Sequence, residues 1–218
     1  MSLIYITNIF TWLFSDNINY VIAVILSVAI IIAAYTYYRF GFRQFLLNKC
    51  YQDETWLPVS DDTGNIIGRV AQSVSIENPG KFQHPIIRVI VWCNGKIYLK
   101  PRSKDLLFER GKVDIPFEVV LRFGKSIESS LEEIHEKYLP YGDKPRFLLK
   151  YSYDNPEGKW QVLLYYINVE DVSKLNALSL PEGKIWPMQH VMDNLGKTYF
   201  SNIMENELKF TSVLIEKY

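Results

Sequence analysis

The stretch richest in chemical content is Leu131-Glu132-Glu133-Ile134-His135-Glu136-Lys137-Tyr138-Leu139. Ile127, Leu131, Ile134 and Tyr138 recur at helical spacing, so residues 126–139 are predicted to form a helix. At about 100° per residue, Glu133 and Glu136 stand roughly 60° apart, opposite that apolar stripe. Two carboxylates so placed are candidate ligands for one metal ion, and Glu132 joins them as a catalytic candidate. Lys137 puts a positive charge beside them, which repels a divalent cation. Together with Glu128, the same acids also read as the solvated side of an amphipathic helix. A second candidate is Lys100-Pro101-Arg102-Ser103-Lys104. There Lys100 and Arg102 could bind an anionic ligand, although a solvated basic edge strand would carry the same residues.

Other chemistries find little support. His84, His135 and His190 are too far apart for a local zinc motif. Ser129-Ser130 has no nucleophile-elbow or triad context. Gly64-Asn65-Ile66-Ile67-Gly68 fits a hairpin turn, not a phosphate-cradling loop. Cys50 and Cys93 make neither a C-x-x-C pair nor a disulfide scaffold.

The elements that must position these residues alternate between strand and helix. Trp56–Ser60 and Ile66–Val70 flank an Asp/Gly/Asn turn. Ile86–Cys93 and Lys96–Lys100 flank Asn94-Gly95, a strong hairpin signal because both residues tolerate positive φ. Phe147–Tyr153 and Trp160–Val169 form a third pair, and a helix from about Asn202 to Lys217 ends the chain. The order indicates an α+β sandwich. With 24 basic and 24 acidic residues in 218, the chain lacks the basic field of a nucleic-acid binder. At 48% hydrophobic and 15% aromatic residues it is not a disordered chain.

Tyr20–Tyr38 contains no charge, and a helix of about 20 apolar residues matches a bilayer core. Tyrosines stand at both ends of the segment, where interfacial rings belong. Arg39, Arg43 and Lys49 follow it and no basic residue precedes it. This predicts a single span in the inner membrane, N-terminus outside and C-terminal part cytoplasmic. Residues 1–19 are read as an apolar interfacial segment and residues 39–54 as a juxtamembrane linker, leaving 55–218 as the folded domain. The expected partners are the membrane itself and proteins that pack on the span and the N-terminal segment, with no nucleic acid.

Residues 55–217 resemble the Nudix fold, in its isopentenyl-diphosphate isomerase-like branch. WLPVSDDTGNIIGRV is similar to the opening hairpin, HPIIRVIVWCNGKIYLKPRS to the central hairpin, VDIPFE to the approach to the signature loop, and LEEIHEKYL to the signature helix. The resemblance implies a mixed-sheet α/β/α sandwich behind the transmembrane helix. It further implies a box of helix carboxylates that hold Mg²⁺ for hydrolysis of a diphosphate linked to another group. The box departs from its pattern at several places. Glu132 stands for the box Arg, Lys137 for its second paired Glu, Leu139 for its Gly, Phe117-Glu118 for two glycines, and Gly124, or Lys125 with one gap, for the upstream Glu. Glu133 and Glu136 retain box identities.

The expectation is therefore a catalytically degenerate Nudix-like domain acting as a binding or accessory subunit of a membrane assembly, with no cofactor. Two alternatives stay open: an active hydrolase of a nucleoside- or isoprenoid-type diphosphate using Mg²⁺, and a nucleotide sensor that does not hydrolyse.

Overall fold

The computed structural model describes residues 18–43, 45, 54–106, 108–176, 178 and 180–215. They fall in two compact units, Met1–Glu54 and Thr55–Tyr218. Most of the apolar N-terminal segment, residues 44 and 46–53 of the linker, and the expected end of the terminal helix at residues 216–217 lie outside the described residues.

In the first unit, helix α1 (Ile18–Thr36) runs into a π-helical turn, Tyr37–Phe42. Helical structure thus continues past Tyr38 into the stretch read as linker. Its hydroxyls cause no burial problem, because Ser27 and Thr36 donate to the carbonyls of Ala23 and Ile32 at 2.7 and 3.0 Å. The segment Tyr20–Phe42 has a mean hydropathy of 2.3 over its most apolar window, and none of that window is buried in the protein. A core helix of a soluble domain would be covered. This helix is long and apolar enough to cross a membrane.

The second unit is a mixed α+β sandwich. Strands β1 (Trp56–Ser60) and β2 (Ile66–Ala71) pair antiparallel as a separate small sheet, followed by helix α2 (Gln72–Glu77). Asp61 closes their turn by accepting from the backbone N–H groups of Thr63 and Asn65 at 3.0 and 2.8 Å. The main sheet is ordered β5-β4-β3-β8-β7, with β6 also on β3 and β9 on β4. At its centre β3 (Gln83–Cys93) lies parallel to β8 (Gly158–Asn168) on one edge. Its other edge is shared: Val91–Cys93 pair with β4 (Lys96–Pro101), and Ile86–Val89 pair with β6 (Phe117–Val120). Past Tyr98, β4 leaves β3 and pairs instead with β5 (Val113–Asp114), Lys100 opposite Asp114. That divergence opens the sheet at the residues singled out above.

Strand alternation divides the core between two faces. Ile87, Val89, Val91 and Cys93 pack with Leu131 and Ile134 of helix α3 (Ile127–Tyr138) and with Leu175 of α4 (Val172–Asn176). Ile90, Ile97, Leu99 and Leu164 pack with Val191 of α5 (Met188–Met192) and with Met204 and Leu208 of α6 (Asn202–Ile215). The remaining strands are β7 (Arg146–Asn155), antiparallel to β8, and β9 (Lys184–Pro187), antiparallel to β4. The structure differs from the sequence reading at Phe117-Glu118, which belong to a paired strand and not to a loop. Phe117 is buried, with its ring centroid 5.2 Å from that of Tyr138, so an aromatic contact ties β6 to the end of α3.

His84 is buried beneath the small sheet. Its Nδ1 lies 2.8 Å from the Pro58 carbonyl, which can only accept, so Nδ1 is the donor and Nε2 accepts from Ser75 Oγ at 2.7 Å. Burial lowers its pKa from 6.5, partly offset by the Pro58 bond. In the unfolded chain His84 therefore takes up a proton at a higher pH than in the folded protein. Its contribution to stability is present above about pH 6.5 and is lost as pH falls below that. Thermal melts from pH 7.5 down to 5.5 should show a steeper loss in the parent than in His84→Gln. Equal slopes would contradict this account of the ring.

Candidate functional site

Where β4 and β6 part, a cleft of about 610 Å³ opens between the sheet and α3. Arg102, Asp114 and Glu118 on its inner wall belong to a buried ionic network that extends behind it. Arg88, fully buried on β3, donates from Nε to Glu207 Oε1 of α6 at 2.8 Å and from Nη2 to Asp114 Oδ1 at 2.6 Å. Its Nη1 pairs with Glu118, the residue opposite it in the β3–β6 register. Arg102 donates from Nη1 to Asp114 Oδ2 at 2.9 Å and stands 3.5 Å from Glu118. Tyr151 donates to Glu207 Oε1 at 2.7 Å. Burial raises the Asp114 carboxyl, but Arg88 and Arg102 outweigh it and hold the group below its ordinary value. Glu207, equally buried, is raised, and Arg88 offsets only part of that. Arg88 stays charged because three carboxylates surround it. Burial likewise keeps the Tyr151 phenol protonated.

The outer wall is α3 and the loop before it. Ser126 caps the helix by accepting from the Ser129 N–H at 3.0 Å, and Leu131 and Ile134 anchor it on the sheet. This anchorage turns Glu133 and Lys137, one turn apart, onto the cleft. Arg122 and Lys125 of the loop also line it. The Glu133 carboxylate pairs with Lys125 Nζ. That bond, followed by the charges of Lys125, Lys137 and Arg122, holds it below its ordinary value. Lys137 is held above its ordinary value by Tyr138, whose ring centroid is 4.9 Å from Nζ.

The sequence candidates therefore meet in part. Glu133 lines the cleft, whereas Glu132 and Glu136 are exposed on α3 and are not among its lining residues. Lys100 lines it and makes no ion pair among the described residues. Arg102 lines it too, but its Nη groups are turned toward protein carboxylates. Gly124, at the place of the upstream box Glu, sits at φ 87°, in a turn that suits glycine. Arg88, Asp114 and Glu207 were missed from sequence. The signal for Arg88 was available, as a lone charge inside a strand of buried apolar residues.

This donor set does not fit Mg²⁺. The one helix carboxylate in the cleft is occupied by Lys125 and flanked by Lys137, and a hard cation needs several free oxygens. Among the described residues no three His, Cys, Asp or Glu side chains are grouped to hold a metal ion.

No protein-family model matches the chain, and no curated protein matches it in sequence. Solved structures do. DR0079 from Deinococcus radiodurans aligns with a TM-score of 0.51 at 11% identity, over 67% of this chain and 91% of its own. A MutT protein from Methanosarcina mazei Go1 aligns at TM-score 0.45 and 13% identity, over 63% of this chain and 97% of its own. A mutT/nudix family protein from Listeria innocua aligns at 0.44 and 16%, over 64% and 97%. The chain shares its fold with DR0079. At these identities the likeness is one of fold and does not extend to activity.

Proposed function

We propose that the protein is a Nudix-fold binding domain that does not hydrolyse, tethered to the membrane by the Tyr20–Phe42 helix and serving as an accessory subunit on its cytoplasmic side. The observation that carries the reading is the pairing of Glu133 with Lys125 beside Lys137. A Nudix hydrolase works through carboxylates that hold a divalent cation against a diphosphate; here Lys125 of the preceding loop and Lys137 of the helix occupy that place. The tether is supported by an uncovered apolar helix of bilayer length, and its orientation by Arg39 and Arg43 at the end of that helix.

The test is a Mn²⁺ titration of the detergent-solubilised full chain, followed by electron paramagnetic resonance. Free Mn²⁺ signal undiminished by protein in the sub-millimolar range is expected. Retention of Mn²⁺ that disappears in Glu133→Gln would contradict the reading.

A further inference from the structure

A second cavity, of about 400 Å³, is lined by α2, by the start of β3 and by Trp160 of β8. Gln72, Ser75 and His84 line it and do not line the first cleft. The chain brings them together by turning back as α2 directly after β2 and re-entering the main sheet at Gln83, so that His84 bonds to β1 on one side and α2 on the other. The hydrogen bonds run in one direction. His84 Nδ1 donates to the Pro58 carbonyl at 2.8 Å, which leaves Nε2 as an acceptor, and Ser75 Oγ donates to it at 2.7 Å. A hydroxyl, a base within reach of it and a third group that orients the base are the parts of an activated nucleophile. A helix serine ordinarily donates to a carbonyl one turn back, as Ser27, Ser129 and Ser130 do here. Ser75 gives its hydroxyl to His84 instead. The imidazole is uncharged at neutral pH because burial lowers its pKa, and the rings of Phe82 and Trp160 flank it at centroid distances of 6.5 and 6.2 Å. Ser75 itself is only half-buried. Gln72, one turn earlier on α2, brings a side-chain amide to the same cavity.

We infer that Ser75 and His84 form a nucleophile–base dyad that hydrolyses carboxylic esters in this cavity, with the Gln72 amide as the oxyanion donor. Ser75 Oγ bonds to the ester carbonyl carbon as its proton passes to His84 Nε2. The oxyanion collapses, the bond to the leaving alkoxide breaks, and that oxygen takes the proton from His84. Water then repeats both steps on the acyl-serine, releasing the carboxylic acid and restoring Ser75. The Pro58 carbonyl orients the imidazole but, unlike a carboxylate, brings no negative charge to the imidazolium that forms. The dyad therefore suits esters, whose leaving groups depart more readily than those of amides. Leu57, Ile76, Phe82 and Trp160 give the cavity an apolar lining, which suits a short acyl chain. The reaction is independent of the diphosphate cleft.

The test uses the full chain in dodecyl maltoside with EDTA present. A fluorophosphonate should label Ser75, read by peptide mass spectrometry, and p-nitrophenyl butyrate should release more than one equivalent of p-nitrophenol per chain. Ser75→Ala should abolish labelling and bring release down to the protein-free rate. His84→Gln should lower kcat by about a hundredfold or more, as for loss of a general base. Gln72→Ala should lower it by about a hundredfold, as for loss of an oxyanion donor. Gln72 is exposed on α2, so this variant tests the site even where Ser75→Ala loses the fold. Labelling at a residue other than Ser75, equal release by Ser75→Ala, arrest at one equivalent, or full activity in Gln72→Ala would overturn the inference, whatever the Mn²⁺ titration shows.

Discussion

Replacing Arg88 with methionine should cost the domain about 3–5 kcal/mol, because it leaves buried carboxylates without their counter-charge. For a unit of this size that is a fall in melting temperature of roughly 10 °C or more. Arg88 is fully buried and is bonded to Glu207, Asp114 and Glu118 at once. Asp114 would keep Arg102, but Glu207 would keep only the Tyr151 hydroxyl. Most of the loss should therefore come from Glu207, so Arg88→Met combined with Glu207→Leu should recover part of it. The cycle is read by chemical denaturation of the parent, the single variants and the double variant. A loss below about 1 kcal/mol for Arg88→Met would place the network in the range of solvated surface pairs and contradict the burial argument.

The second large effect concerns the two units. Residues 55–218 expressed alone should be soluble and unfold in one cooperative transition, while the full chain should resist alkaline extraction from membranes. Among the described residues, the core clusters are built from residues between Ile86 and Leu208, so truncation removes none of these members. The Tyr20–Phe42 helix has none of its apolar window covered. Within the full chain, Ile30→Lys should impair insertion, since a lysine at mid-span costs about 2.5–3.5 kcal/mol. Aggregation of the truncated domain would show that residues before 55 complete its core. Alkaline release of the full chain would contradict the tether.

What could be read in the sequence was whatever is encoded locally. The Asn94-Gly95 hairpin was legible because its turn requires positive φ at both residues, and they adopt 44° and 72°. Helix α3 was legible because its apolar spacing is regular and Ser126 caps it. Chemistry that depends on tertiary pairing was not legible. Lys125 reaches Glu133 across eight residues only because the loop from Leu121 folds back onto the helix. Arg102 looked like a ligand-facing residue of an edge strand, yet β4 leaves β3 at that point and delivers it to Asp114 and Glu118. Glu118 stood where a loop glycine was expected, and the β3–β6 register turns it into a partner of Arg88. Glu136 matched the signature by position, but the helix directs Glu133 and Lys137, not Glu136, to the cleft.

The central claim is that this cleft uses cations where a Nudix hydrolase uses metal-bound carboxylates. Its most direct test is product release from a mixed panel of nucleoside- and prenyl-type diphosphates, incubated with the full chain in millimolar Mg²⁺ or Mn²⁺ and followed by phosphorus NMR. The account predicts no product above a protein-free control, for the parent and for Glu133→Gln alike. Metal-dependent turnover by the parent that collapses in Glu133→Gln would contradict it.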